Sequence, residues 1–365
     1  MPETIPSHLD EVGPEWLTGA LRESGRLPLG RVREVEIQAF GEGVGILGQL
    51  GRVRAHYEGD AGGAPERMVV KVPSVHATNR EMCFALGFYQ REVRFYRELA
   101  PELPFRIPRC YAAQLDERRK RFALVLEDLS FLSTADQLEG ISGERAERAV
   151  DLLAEIHASR WGDPRFDALE WIPRTNSPTT LEWQDYYRRA WPGFVRNVGD
   201  QLSPKALEIG ERVNRALAPL LHALAAPPTT LVHNDFKLDN LLFGEPGGAD
   251  RIALVDWQVI TRGRGVQDLA YLICQSMTVE ARLAQEEDLL GRWHRRLTES
   301  GVRGYDFEQA RLDYRRSVMR GLAVPVEMGG SLDLGNERGA ALVREIVERS
   351  FRAALDWDVL DVLPD

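Results

Sequence analysis

Cysteine is scarce here, and odd in number. Cys83, Cys110 and Cys274 are the only three in 365 residues, and no two are closely spaced. That argues against a disulfide framework and against a cysteine-built zinc site. No run of about 18 apolar residues occurs, so no segment is expected to span a bilayer. The opening MPETIPSHLDEVG has neither the basic nor the apolar block of a secretory leader. Internal repeats and low-complexity tracts are missing. Positive charge is short: 46 Lys and Arg stand against 56 Asp and Glu, a formal net charge of −10. Nucleic acid, held chiefly through its phosphates, is a poor partner for such a chain. A cationic or neutral ligand suits it better, although acidity is also common among soluble proteins. The chain thus reads as cytoplasmic and reduced, with no nucleic-acid or membrane partner; nothing in it bears on oligomeric state.

What is present is an ordinary globular balance, 44% hydrophobic and 28% charged, with length for about two to three domains. Residues 8–24 carry Trp16, Leu17, Ala20 and Leu21 on one helical face. Alternation over 32–40 predicts a strand, followed by a glycine-rich turn, a strand near 49–57, a polar hairpin tip and a strand over 68–72. Residues 80–99 repeat apolar side chains every three to four positions and predict one helix. Two strands, 107–114 and 121–127, come next. Beyond them the chain is mainly helical. Ser142 is a candidate N-cap for a helix through His157, and a second helix near 203–225 is stopped by Pro227 and Pro228.

The chemistry concentrates in two stretches. The first is His233-Asn234-Asp235-Phe236-Lys237-Leu238-Asp239-Asn240, after the apolar Leu231-Val232. The second is Asp256, closing the apolar run Ile252–Val255. Both carboxylates emerge at strand ends, where loops hold side chains at a cleft. Phosphoryl transfer needs a group to orient a hydroxyl, a divalent ion against the phosphates and a cation on the nucleotide. Asp235 suits the first role. Asn240 offers an oxygen suited to Mg²⁺, Asp256 can bridge the ion to the phosphates, and Lys237 can neutralise the transferred group. Two capped turns are the bland alternative, but HxDxxxxN followed by an apolar strand ending in Asp is restrictive.

Those residues resemble the aminoglycoside phosphotransferase and choline-kinase-like superfamily, which is similar in fold to protein kinases; within it the chain looks nearest a bacterial branch resembling ecdysteroid kinase-like proteins. HNDFKLDNLLF matches the catalytic loop, LVDWQ the metal-binding strand, and GVQDLAYLI the helix start whose acid, here Asp268, braces the loop. The likeness spans roughly residues 35–275. Asn234 stands where the superfamily commonly has Gly. Trp257-Gln258 replaces the Phe-Gly of protein kinases, which argues against a flipping switch there.

The resemblance implies an α+β, protein kinase-like two-lobed fold. Residues 1–128 would form the antiparallel-sheet nucleotide lobe and 129–365 the mostly helical catalytic and substrate lobe. It further implies ATP or GTP with Mg²⁺ and a small-molecule hydroxyl acceptor, whether aminoglycoside, amino alcohol, sugar or steroid-like. Asp235 would act as base with Lys237 beside it, and Asn240 and Asp256 would hold metal. Gly43 and Gly45 lie in a turn that could cradle phosphates or simply reverse the chain. Lys71, central in an apolar strand, needs a partner; Glu92, Glu81 and Glu98 are candidates in that order, and the superfamily's lysine holds the α/β-phosphates. Glu127 and Leu129 fall in the segment resembling the adenine hinge. His157 reads as a core histidine, and His76 and His294 as surface residues. Most of Trp161, Trp171, Trp183, Tyr186, Tyr187 and Trp191 read as packing, with one or two left to line a pocket. Two other readings remain: an inactive kinase-fold scaffold, and a kinase acting on protein hydroxyls. All four of Lys71, Asp235, Asn240 and Asp256 are present against the first. No activation segment follows Asp256, which counts against the second.

Overall fold

The computed structural model describes residues 4–41, 47–245, 248, 252–330 and 337–363. It divides into two compact units, Met1–Leu132 with Leu254–Val259, and Ser133–Ala253 with Ile260–Asp365. No described helix is long and apolar enough to cross a membrane.

The first unit is built on a five-stranded antiparallel sheet of β1 (Arg31–Phe40), β2 (Gly48–Glu58), β3 (Arg67–Pro73), β4 (Cys110–Asp116) and β5 (Arg121–Glu127), in the order β1-β2-β3-β5-β4. Strand side chains alternate between faces. Met68, Val70 and Val72 of β3 therefore join Val53, Ala123 and Val125 in one core, under helix α1 (Pro14–Glu23). That helix delivers the apolar face read from its periodicity, with Trp16, Leu17, Ala20 and Leu21 all buried. Each large side chain so buried stabilises the unit by about 1.5–3 kcal/mol. Lys71, one step out of phase with this core, faces the opposite side of the sheet. Pro108 has no N–H to give a ladder, and β4 starts only at Cys110.

The single helix expected over 80–99 is instead several short pieces. Helix α2 (Ala77–Ala85) ends before Gly87, whose φ of 72° is left-handed. Helix α3 (Phe88–Arg94) follows, and a π-helical turn covers Phe95–Leu99. Glycine makes the break cheap, and the wide turn lets Phe95, Tyr96 and Leu99 all bury.

The second unit is mainly helical. It contains α4 (Gly143–Ser159), the short α5 (Pro164–Asp167) and α6 (Pro178–Leu181), α7 (Trp183–Val198) and α8 (Pro204–Leu224). Strand β6 (Thr230–Val232) and two further short strands, β7 (Leu241–Phe243) and β8 (Ile252–Leu254), surround the motif region; the last residue of β8 leads the chain back into the first unit. Strand β9 (Thr261–Gly263) pairs with β6. Then come α9 (Val266–Ser276), α10 (Val279–Glu299), α11 (Phe307–Gly321), α12 (Ala323–Gly330) and α13 (Glu337–Asp356). Every residue of α9 is buried, the mark of a helix at the centre of a unit. Ser142 occupies the N-cap position of α4, but its side chain makes no capping bond.

Candidate active site

In the first unit the site is built around Lys71. Register places it opposite Leu50 on β2 and Leu124 on β5, so its stem is walled by apolar neighbours. Its Nζ donates to Glu92 Oε1 at 2.9 Å and to Asp256 Oδ1 at 3.0 Å. The rival acids are used elsewhere: Glu81 pairs with Lys120 and Glu98 with Arg94. Burial works against charge on Lys71, but Asp256 and Glu92 overcome it and raise its pKa. Glu92, 1% exposed, is pushed up to about 7: burial and the second carboxylate, Asp256, outweigh the pull of Lys71.

Asp256 sits at φ 66°, a strained region for a residue with a side chain. Its neighbours hold it there. Trp257 is fully buried, stacked on Phe95 with ring centroids 4.2 Å apart, and its Nε1 donates to the Leu254 carbonyl at 3.3 Å. Gln258 Nε2 donates to Asp256 Oδ2 at 3.1 Å. The hinge-like residues behave differently from one another. The Glu127 carboxylate is gripped by both Arg106 guanidinium nitrogens at 2.9 Å and by the Arg109 N–H at 3.1 Å. Leu129 is buried, and its backbone N–H reaches no acceptor among the described residues. Gly43 and Gly45 lie outside the described residues.

In the second unit the loop after β6 is braced from beneath. Asp268, at the start of α9, accepts the backbone N–H of His233 at 2.6 Å on Oδ2 and that of Asn234 at 2.7 Å on Oδ1. Trp293 Nε1 donates to His157 Nδ1 at 3.0 Å. That leaves the neutral imidazole's proton on Nε2, which faces Asp268 Oδ2 at 3.3 Å. The core histidine read from the sequence is therefore a support for the loop, two contacts removed from it. His76 is exposed, whereas His294 is half-buried against the Tyr305 carbonyl. Asn234 adopts φ 65°, a conformation glycine and asparagine tolerate best.

Asp235 gathers three donors. Oδ1 meets the Tyr271 hydroxyl and Lys237 Nζ, both at 3.1 Å; Oδ2 accepts from Asn240 Nδ2 at 2.9 Å. Burial opposes ionisation here, but Lys237, His233 and the hydrogen bonds from Lys237 and Asn240 prevail and hold the carboxyl below its ordinary value. Asn240 spends its Nδ2 on this loop, donating also to the Asp235 carbonyl at 2.8 Å. Its Oδ1 accepts no bond among the described residues, which is the oxygen a hard cation would use. No cluster of three or more His, Cys, Asp or Glu suited to metal occurs among the described residues. An ion shared with phosphates needs only one or two protein oxygens, and Asn240 in the second unit and Asp256 in the first each carry an oxygen of that kind. Tyr271 and Gln258 escape the motif reading because their partners are fixed only by the fold.

The tryptophan-rich region is largely packing. Tyr187, Trp191, Phe194 and Phe351 stack in succession, and Gly210 leaves room for the Trp191 ring. Trp161, Trp171, Trp183 and Tyr186 are half-buried.

Residues 58–309 match the model of the phosphotransferase enzyme family. The chain belongs to that family. Among curated proteins, a kinase-like protein of Caenorhabditis elegans is 22% identical over 62% of this chain and 63% of its own length. A 51-residue stretch is 47% identical to acyl-CoA dehydrogenase family member 10 of Mus musculus, covering 14% of this chain and 5% of that protein. The chain thus spans less than two thirds of the length of either curated relative. Solved phosphotransferases share the fold. A Ralstonia eutropha protein provisionally named an aminoglycoside phosphotransferase aligns over 94% of this chain and 98% of its own, with a TM-score of 0.54 and 18% identity. A microcompartment-associated aminopropanol kinase aligns over 95% and 99%, at 0.52 and 14%. Choline kinase of Cryptosporidium parvum aligns over 90% and 92%, at 0.52 and 12%. This family's α+β, kinase-like architecture is the one described above.

Proposed function

We propose that the chain is a small-molecule kinase that moves the γ-phosphoryl group of ATP onto an alcohol. The first unit binds the nucleotide; the second carries the base and the acceptor. The observation that supports this most is the state of Asp235: ionised, held by Lys237, Tyr271 and Asn240, beside an asparagine oxygen with no hydrogen-bond partner among the described residues.

Lys71, oriented by Glu92, would hold the α/β-phosphates, and the Leu129 N–H would meet the adenine edge. Asn240 and Asp256 would ligate Mg²⁺, which supplies positive charge against the phosphate oxygens. Asp235 orients the acceptor hydroxyl and takes its proton as the oxygen attacks phosphorus in line. Lys237 offsets negative charge on the transferred group. Positioning and charge complementarity do the work, with no covalent enzyme intermediate.

Asp235→Ala tests the role of the base. Turnover, read as alcohol-dependent ADP release, should fall roughly 10²–10⁴-fold while Mg-ATP still binds. Wild-type turnover in that variant would remove Asp235 from the mechanism. An inactive scaffold would bind nucleotide without releasing ADP.

A further inference from the structure

Arg320, in the last turn of α11, differs from the other arginines inside the second unit. Arg264 meets Asp313 at 3.3 Å. Arg282 pairs with Glu286 and Asp356. Arg349 gives its fork to the carbonyls of Gln137 and Leu138. Arg320 has one partner among the described residues, a neutral one: its Nη2 donates to Asn234 Oδ1 at 3.1 Å. No carboxylate of a described residue forms an ion pair with it, and among those residues its Nε and Nη1 are unbonded without being sealed from solvent. Burial pulls its pKa down, only partly offset by Tyr271 and Asp268.

The position matters. Asn234 directly precedes Asp235, and its own side chain is fixed through Nδ2 to Thr261 Oγ1 at 2.8 Å. Tyr271, which touches Asp235, lies near enough to Arg320 for each to perturb the other's ionisation. Arg320 is half-buried, so its open edge is reachable yet partly shielded from water, where pairing with an anion gains more than it would at a fully exposed site. Its planar fork matches a carboxylate in two-point geometry, and its charge repels an ammonium group.

We infer that the accepted alcohol carries a carboxylate close to its reacting hydroxyl, and that Arg320 holds that carboxylate: the acceptor is a hydroxy acid rather than an amino alcohol. This rests on Asp235 being the base that faces the hydroxyl. The bond made is between hydroxyl oxygen and γ-phosphorus, the bond broken is between γ-phosphorus and the bridging oxygen of ADP, and the proton goes to Asp235.

The test is thermal melting of the full chain with matched alcohols: glycerate, glycerol and aminopropanediol, then longer hydroxy acids with their diols and amino alcohols. At least one hydroxy acid should raise the melting temperature where its neutral and amine counterparts do not. Arg320→Ala should abolish that shift while the Mg-ATP shift persists. Arg320→Lys, which keeps charge without the fork and guards against misfolding of the alanine variant, should weaken hydroxy-acid binding roughly tenfold. The proposal is overturned if no hydroxy acid in the series shifts melting, if an amino alcohol shifts it more, or if the shift survives Arg320→Ala. It is also overturned if the substitution weakens only Mg-ATP or inorganic phosphate. A hydroxy-acid shift dependent on Arg320 in a chain that ignores Mg-ATP would uphold the carboxylate site and remove the kinase reading.

Discussion

Two carboxylates share one lysine in the first unit, and that arrangement has a pH signature. Glu92 is raised to about 7 from an ordinary value of 4.5. Between those values the folded state binds more protons at this position than the unfolded chain does. Stability from Glu92 is therefore full below about pH 4.5 and is lost as pH rises through about 7. Urea midpoints measured from pH 5 to pH 8 should fall more steeply in wild type than in Glu92→Gln. Equal slopes would mean that Glu92 stays ionised throughout. Glu92 is legible in the sequence as a partner of Lys71 because a lysine in an apolar strand demands an acid, and the nearby helical stretch offers few; its second partner, Asp256, 185 residues on, is not. Tyr271, Gln258 and the Trp293–His157 contact are not legible. They lie on elements whose approach to the loop depends on the packing of α9 and α10, and no local spacing encodes it.

Strands are read from the sequence with good bounds because alternation is a strong local signal; β1, β2 and β3 begin and end within a residue or two of expectation. The stretch over 80–99 is not, because a period of three to four residues persists through a left-handed glycine and a π turn that redirect the chain. At the start of α9, Gly265 lies so close to His157 that a Cβ would stand 2.6 Å from the ring. Gly265→Ala should push His157 away from Asp268 and loosen the loop the acid braces. Overpacking of this kind costs about 1–3 kcal/mol, so thermal melting should drop and turnover fall together. An unchanged melting temperature would show that His157 can give way freely.

For the whole molecule, a ligand that binds only the folded state stabilises it by mass action, about 2.7 kcal/mol at a hundred times its dissociation constant. Mg-ATP should raise the melting temperature of wild type, and Asp256→Ala should lose most of that rise while still folding. Calorimetry showing equal Mg-ATP affinity in both proteins would detach Asp256 from the nucleotide.

The return of Leu254–Val259 to the first unit sets a limit on how this architecture can be taken apart. A polypeptide ending at Leu132 would include all five strands, Lys71 and Glu92, yet would leave the lysine without Asp256 and the Phe95 ring without its stacked indole. The first unit is not a self-sufficient bead on a string. Recombination that swaps an amino-terminal half between relatives would have to import six residues from the far side of the motif loop, so the two parts are expected to be inherited together.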